Sequence, residues 1–274
     1  MSKQNFKSVI VGVDLSDYSK KVVKEAQKLA HAMQANLVFV HAIQMDHFHN
    51  ALNVEAPNLT THYENEVRQK YGLKVDSHVV IRFGRPYEEV IAVARSYKRP
   101  LIIVGHRGHS AMARFFLGSN VERLALISPF PVWIHRGDKI IVPKRILVPS
   151  DLGNRSIRTI KDTKSFQNSF DSTCELFHVA PRPSPVLDFP NYAQILDEIK
   201  AADDLELEKF KKKNPTLKIS KAEGQIVEKI HAFAKKFDVI AISPGPRKKS
   251  SPFFGGITAK IIRSGDKPIL VFPI

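Results

Sequence analysis

The chain is one unit written twice, and this constrains its fold more than any other feature. "VIVGVDLSDYSK" at 9–20 corresponds to "ILVPSDLGNRSI" at 146–157, and "NLVFVHAI" at 36–43 to "TCELFHVAP" at 173–181. Asp14 thereby stands over Asp151, His41 over His178 and Pro131 over Pro268, each pair 137 residues apart. "GRPYEEVIAVARSYKRPLIIVG" (84–105) matches "GQIVEKIHAFAKKFDVIAIS" (224–243). Self-similarity at a fixed offset specifies a tandem architecture. The division falls near Gly137–Pro143, giving expected domains of residues 1–140 and 141–274.

Each unit alternates strand and helix. Val9–Val13 and Leu37–His41 are short apolar or β-branched runs, the pattern of strands buried on both faces. Between them Val22, Val23, Ala26, Leu29, Ala30 and Met33 recur at helical spacing. Further helices are expected over Leu59–Tyr71, Pro86–Ser96 and Ala111–Ile127, and strands over Ser77–Phe83, Leu101–Val104 and Val132–His135. Pro86 suits a first helical turn, where its missing N–H is no loss. Leu152–Ile160 and Ile226–Phe233 read as core-facing stripes. Repeated βα units predict two tandem doubly wound, Rossmann-like α/β domains, each with a mainly parallel five-stranded sheet.

Composition narrows the function classes. Of 274 residues, 43% are hydrophobic and 25% charged, a globular balance rather than a disordered one. The apolar runs are too short to cross a bilayer, and acid at Asp14 interrupts anything resembling a secretory leader, so a cytoplasmic location without membrane contact is expected. The lone cysteine, Cys174, excludes an intramolecular disulfide framework and is expected to be buried and inert. The formal charge of +15 divides almost evenly between the halves, +7 and +8, with no basic arm or tail, which favours a solvated surface over a nucleic-acid face. His47, His49 and His62 share an insertion but lack the fourth ligand and regular spacing of a metal centre.

The chemistry concentrates in "GHRGHSAMARFFLGSN", residues 105–120, which holds three of the chain's 13 glycines. Glycine at a strand-to-helix turn serves either close ligand approach or tight packing. In open α/β sheets ligands bind beyond the carboxyl ends of strands, at the point where strand order reverses. Gly105 and Gly108 there can turn backbone N–H groups inward as an anion nest. Gly118–Ser119 would then open a helix from Asn120 onward, whose free N–H groups suit phosphate. Asp14, just past the first strand, is fitted either to accept from ribose hydroxyls or an adenine amine, or simply to cap the following helix, as does its recurrence at Asp151. His41 and His178 read as packing or strand-end residues.

The stretch fits the G-x2-G-x9-G-[ST] pattern of the universal stress protein family at every fixed position. With the strand-end Asp14, the following "PVWIHRG" and the duplicated layout, the chain resembles the tandem two-domain members of that family over nearly its whole length. The resemblance implies ATP or another adenine nucleotide as ligand, magnesium remaining open. It sets Gly12, Val13, Asp14 and Ala42 near base and ribose, and Gly105, Gly108, Gly118, Ser119 and Val121 on the phosphates. Asn120 adds its backbone, and His106 and Arg107 fall between motif positions as candidate charge contacts. The partners implied are the nucleotide and either intramolecular pairing of the two domains or a homodimer.

The second half departs from the pattern: Ser243 replaces Gly105, Pro246 replaces Gly108, and Ile257 stands where Ser119 does. Proline cannot donate an N–H and isoleucine has no hydroxyl, so an ordinary ATP site is not expected there. The leading function is a stress-response module that binds nucleotide as signal or structural ligand. Two alternatives are a nucleotide-dependent enzyme of a related α/β fold, with at most slow ATP hydrolysis expected, and a non-specific nucleic-acid binder. No SGGxDS, HIGH or GxxxxGK[ST] loop is present, and no base partners a nucleophile, so no catalytic residue is assigned.

Overall fold

A computed structural model describes residues 6–44, 56–106, 118–181, 192–244 and 256–273. The first half runs β1 (Ser8–Val13), α1 (Asp17–Met33), β2 (Asn36–Ile43), α2 (Ala56–Tyr71), β3 (His78–Phe83), α3 (Pro86–Arg95), β4 (Pro100–Gly105), α4 (Ser119–Ile127) and β5 (Val132–His135). The second repeats it as β6 (Arg145–Ser150), α5 (Asn154–Phe170), β7 (Thr173–Pro181), α6 (Tyr192–Lys213), β8 (Ile219–Gly224), α7 (Ile226–Ala234), β9 (Val239–Ile242), α8 (Ile257–Arg263) and β10 (Ile269–Val271). Of the helix expected over 111–127, the described part begins at Ser119; the rest lies outside the described residues.

Local chemistry sets the element ends. The side chain of Ser16 caps α1 by accepting from Ser19 N at 3.2 Å, and Gln34 closes the helix in the left-handed region at φ 52°. The α1 stripe predicted from spacing, Val22 through Met33, is buried. Leu152 and Ile160 are buried as well, and Ile226 and Phe233 pack at the core's margin.

The two five-stranded sets do not form separate sheets. One ten-stranded sheet runs β3-β2-β1-β4-β5-β10-β9-β6-β7-β8, parallel throughout except between β5 and β10. An edge strand presents unpaired N–H and C=O groups, and here each half's edge satisfies the other's. The pairing is antiparallel with Trp133 opposite Leu270, Val132 opposite Val271 and Ile134 opposite Ile269. Trp133 and Leu270 are equivalent positions of the repeat, so each half meets its own counterpart about a local pseudo-twofold axis, as in an isologous dimer.

The core follows the sheet rather than the repeat. One face is covered by α1, α2, α5 and α6 and the other by α3, α4, α7 and α8, and each apolar layer is continuous across both halves. Phe166 of α5 is fully buried, edge-on to Phe6 at 5.0 Å and stacked on Trp133 at 6.0 Å between ring centroids. Arg136, just after β5, bonds the carbonyls of Ile262 and Gly265 at the end of α8, and burial lowers its pKa to about 10. Arg263 of α8 meets Glu122 of α4 at 2.6 Å.

A buried polar cluster lies beside the junction. Glu25 is fully buried; one oxygen is bonded to His135 Nδ1 and accepts from the Trp133 indole at 2.9 Å, and the other accepts from Ile141 N at 3.0 Å. Cys174 is half-buried rather than buried, and its thiol is pushed up to about 11 by burial, which keeps it unreactive. Among the described residues no helix is long and apolar enough to cross a membrane.

Because Phe166 joins both halves, Phe166→Ala should cost about 3–5 kcal/mol, the usual range for a deeply buried phenylalanine. Urea unfolding followed by fluorescence of Trp133, the sole tryptophan, and by far-UV circular dichroism should give one coincident transition in both proteins. Two separated transitions in the parent would mean that the halves are energetically independent.

Candidate functional site

Strand order reverses between β1 and β4, which lie side by side with Val11 opposite Ile103. Asp14 therefore leaves the sheet beside the end of β4, as the sequence predicts. Its Oδ1 accepts from Ser16 N at 3.1 Å and from the hydroxyls of Ser16 and Ser19 at 2.6 Å each. These bonds hold Leu15 in the left-handed region at φ 63°, a conformation unusual for leucine. The second half repeats the device: Leu152 has φ 58°, and Asp151 Oδ1 accepts from Gly153 N at 3.1 Å and Ser156 Oγ at 3.2 Å. Burial raises the Asp151 carboxyl's pKa, but the Gly153 N–H, Arg155 and Ser156 outweigh it and hold the group below its ordinary value. Bracing this loop is thus one role of the aspartate in both halves.

The two strand-end histidines obey the same rule. His41 Nδ1 donates to Val13 O at 2.9 Å and His178 Nδ1 to Ser150 O at 3.0 Å, the same bond at equivalent positions. Both fasten the end of a half's first strand to its neighbour.

The glycines separate by environment. A Cβ on Gly12 would meet Val104 at 3.0 Å, and one on Gly105 would meet Tyr18 at 3.0 Å and Val22 at 3.1 Å, so both positions serve tight packing. At the equivalent of Gly105 stands Ser243, whose hydroxyl is bonded to Thr159, the counterpart of Val22, at 2.8 Å. Gly118 differs. It is the N-cap of α4 with φ −61°, and among the described residues a Cβ there would meet nothing closer than 3.9 Å. Among the described residues, neither backbone nor packing requires glycine at this position. Its counterpart Gly256 has φ 95°, where the backbone alone accounts for it.

Gly118 N bonds His106 O at 3.0 Å, which closes the base of the intervening stretch and brings the start of α4 back to the end of β4. Arg107 and Gly108 lie outside the described residues. The side chain of His106 is not brought to the crevice: it is buried, with Nδ1 2.7 Å from Tyr18 Oη and 3.2 Å from His135 O. Ser119 is exposed, Asn120 and Val121 are half-buried, and among the described residues no side chain caps the first turn of α4. Val13 and Ala42 lie at the ends of β1 and β2, Val13 paired with His41 and Ala42 with Arg82.

A cavity of about 500 Å³ opens beside α4, lined by Gln44, Gly84, Arg85, Tyr87, Ser119, Asn120 and Arg123. This volume lies in the range of small-molecule sites. Its described lining carries two guanidiniums, two carboxamides, a hydroxyl and a phenol, but no carboxylate, a set suited to an anion. Arg85 and Arg123 were not singled out by sequence reasoning, since no motif spacing marks them. Of the histidines in the insertion, His47 and His49 lie outside the described residues and His62 is exposed on α2, and no group of three metal-ligating side chains occurs among the described residues.

Comparison with known proteins agrees with this architecture. Residues 5–136 match the model of the Universal stress protein family. A universal stress protein of Thermus aquaticus is 29% identical over 137 residues, which span 48% of this chain and 99% of that protein. The structure of a universal stress protein from Archaeoglobus fulgidus aligns over 100% of this chain and 99% of its own, with a TM-score of 0.63 at 19% identity. A functionally unknown protein from Pseudomonas aeruginosa PAO1 aligns over 99% of this chain and 94% of its own, with a TM-score of 0.66 at 17% identity. These structural likenesses establish the two-unit fold.

The contrast between the glycines predicts opposite stability effects. Gly105→Val overpacks α1 against β4 and should destabilise by about 1–3 kcal/mol. Gly118→Ala should cost no more than about 1 kcal/mol, since only cap preference is lost. Thermal melts of the two variants without ligand check this; equal losses would show that Gly118 also serves packing.

Proposed function

The chain belongs, through residues 5–136, to the universal stress protein family, and from that premise we propose that its first half binds one adenine nucleotide, ATP above all. The observation that carries this reading is Gly118: among the described residues a glycine with no close neighbour and no positive φ, at the start of a helix whose N-cap supplies no side-chain bond, beside a cavity whose described lining holds no carboxylate. A ligand that approaches the backbone supplies the missing reason for glycine.

In this reading residues 1–140 form the binding domain and 141–274 a companion of the same fold that holds no ordinary ATP. Asp14 Oδ2, not engaged by the three bonds to Oδ1, accepts from ribose or the adenine amine, beside Gly12, Val13 and Ala42. Gly105 and Gly108 shape the loop. The backbone N–H groups of Ser119, Asn120 and Val121 and the Ser119 hydroxyl hold phosphate, with Gly118 giving them clearance. Any magnesium would sit on the phosphates. The protein acts as a nucleotide-responsive module of stress physiology, the nucleotide serving as signal or as structural ligand.

Titration calorimetry should find one ATP per chain. At a hundredfold excess over the dissociation constant, ATP should add about 2.7 kcal/mol of stability. Ser119→Ala should weaken ATP by roughly three- to a hundredfold, the range that spans one hydrogen bond to a neutral or a charged acceptor. Two equivalent sites, or no binding, would overturn the reading. Turnover near the typical enzyme median of about 10 per second would favour catalysis instead.

A further inference from the structure

The two arginines of the cavity are not explained by the fold. Arg85 is the N-cap of α3, where a cation faces the positive end of the helix dipole. Arg123 lies one turn beyond Ser119 on α4, so the two side chains share a face and line the same cavity. Both guanidiniums are tied to one element, the buried ring of Tyr87. Arg123 lies over that ring at 5.6 Å with Nη1 3.4 Å from its hydroxyl; the hydroxyl donates to Glu88 Oε1 at 2.8 Å, and Arg85 Nη1 reaches the same oxygen at 3.4 Å. The chain Arg85–Glu88–Tyr87–Arg123 thus sets two positive groups on one wall.

The internal repeat provides a control. At the positions of Arg85 and Tyr87 the second half carries Gln225 and Val227, while Glu88 keeps its counterpart Glu228; at the 137-residue offset of the β5–β10 register Arg123 stands over the exposed Lys260. Buried Ile261 stands over buried Leu124, and α7 forms without a cation at its N-cap. The same architecture is therefore built without the guanidiniums: the Arg85 position loses its cation together with the Gly105 and Gly108 positions of the glycine motif, and the Arg123 position keeps a charge but not the fork.

We propose that Arg85 and Arg123 clamp the outer phosphates of the nucleotide and make the crevice selective for the polyphosphate chain of a nucleoside tri- or diphosphate over monophosphates. The inference rests on the nucleotide reading above and names the part of the ligand these side chains recognise. Guanidinium forks bind phosphate oxygens in pairs, and two of them match the charge of a polyphosphate tail better than that of one phosphate.

The test compares the parent with Arg85→Gln, Arg123→Gln and the double variant, titrating ATP, ADP, AMP and adenosine. ATP affinity should fall about tenfold for each arginine removed, a factor equal to roughly 1.4 kcal/mol. Affinity for AMP and adenosine should change less than about twofold, so the preference for ATP over AMP collapses, and the salt dependence of ATP binding should flatten. Lysine at both positions should restore part of the ATP affinity, since charge returns without the fork. Unchanged ATP affinity, or an equal loss for adenosine, overturns the clamp. If the parent binds no adenine nucleotide at all, the nucleotide reading fails, and inorganic tripolyphosphate then decides: binding lost in the double variant keeps the clamp, and no binding ends it.

Discussion

The structure depends on the antiparallel meeting of β5 and β10. Three residues of one half pair with three of the other about Trp133 and Leu270, which are each other's repeats, and two edges that would each expose unpaired backbone become the middle of a ten-stranded sheet. Everything that crosses the midline follows from that register: Phe166 under Trp133, the Arg136 guanidinium on the last carbonyls of α8, and the Arg263–Glu122 pair. Each face of the sheet is then one continuous apolar layer, so the first half's crevice stands on a core twice the size its own residues could build.

Duplication also separates what the fold requires from what it does not. Kept in both halves are the aspartate that braces the first loop, the leucine after it in the left-handed region, and the histidine fastened to the first strand's last carbonyl. Found only in the first half is the buried set Glu25, Trp133 and His135, whose counterparts are Asp162, Leu270 and Phe272. Buried polar groups are weak sources of stability, and here leucine and phenylalanine at the Trp133 and His135 positions support the same architecture. The set lies behind Tyr18 and His106, next to the end of β4, and reaches the connector between halves through Ile141. The first half has thus kept polar side chains in its interior where it carries the intact glycine motif.

Much of this was legible in the sequence, for reasons that can be named. Helix and strand order came from apolar period, and α3 begins at its proline signal because caps are local chemistry, whereas α1 is capped by Ser16 and Asp14 braces the loop before it. The crevice followed from the strand-end Asp14 and the glycine spacing. The joined sheet was left between two options, since an unpaired edge reads the same whether its partner is another chain or the same one. Gly105 read as a phosphate residue, whereas its neighbours are Tyr18 and Val22, a contact across most of the half that no spacing reveals. His106 lies in the motif but turns inward to Tyr18 for the same reason. Arg85 and Arg123 escaped notice because a surface arginine has no sequence signature until the cavity it lines is seen.

The central claim is that nucleotide contacts the backbone at the start of α4 and not at the start of α8. Hydrogen exchange with and without saturating ATP, resolved to short peptides by mass spectrometry, measures this most directly. The account predicts slowed exchange across Asp14–Ser16 and Ser119–Arg123, with no change across Ile257–Arg263. Protection at Ile257–Arg263, or equal protection at both helix starts, would contradict it.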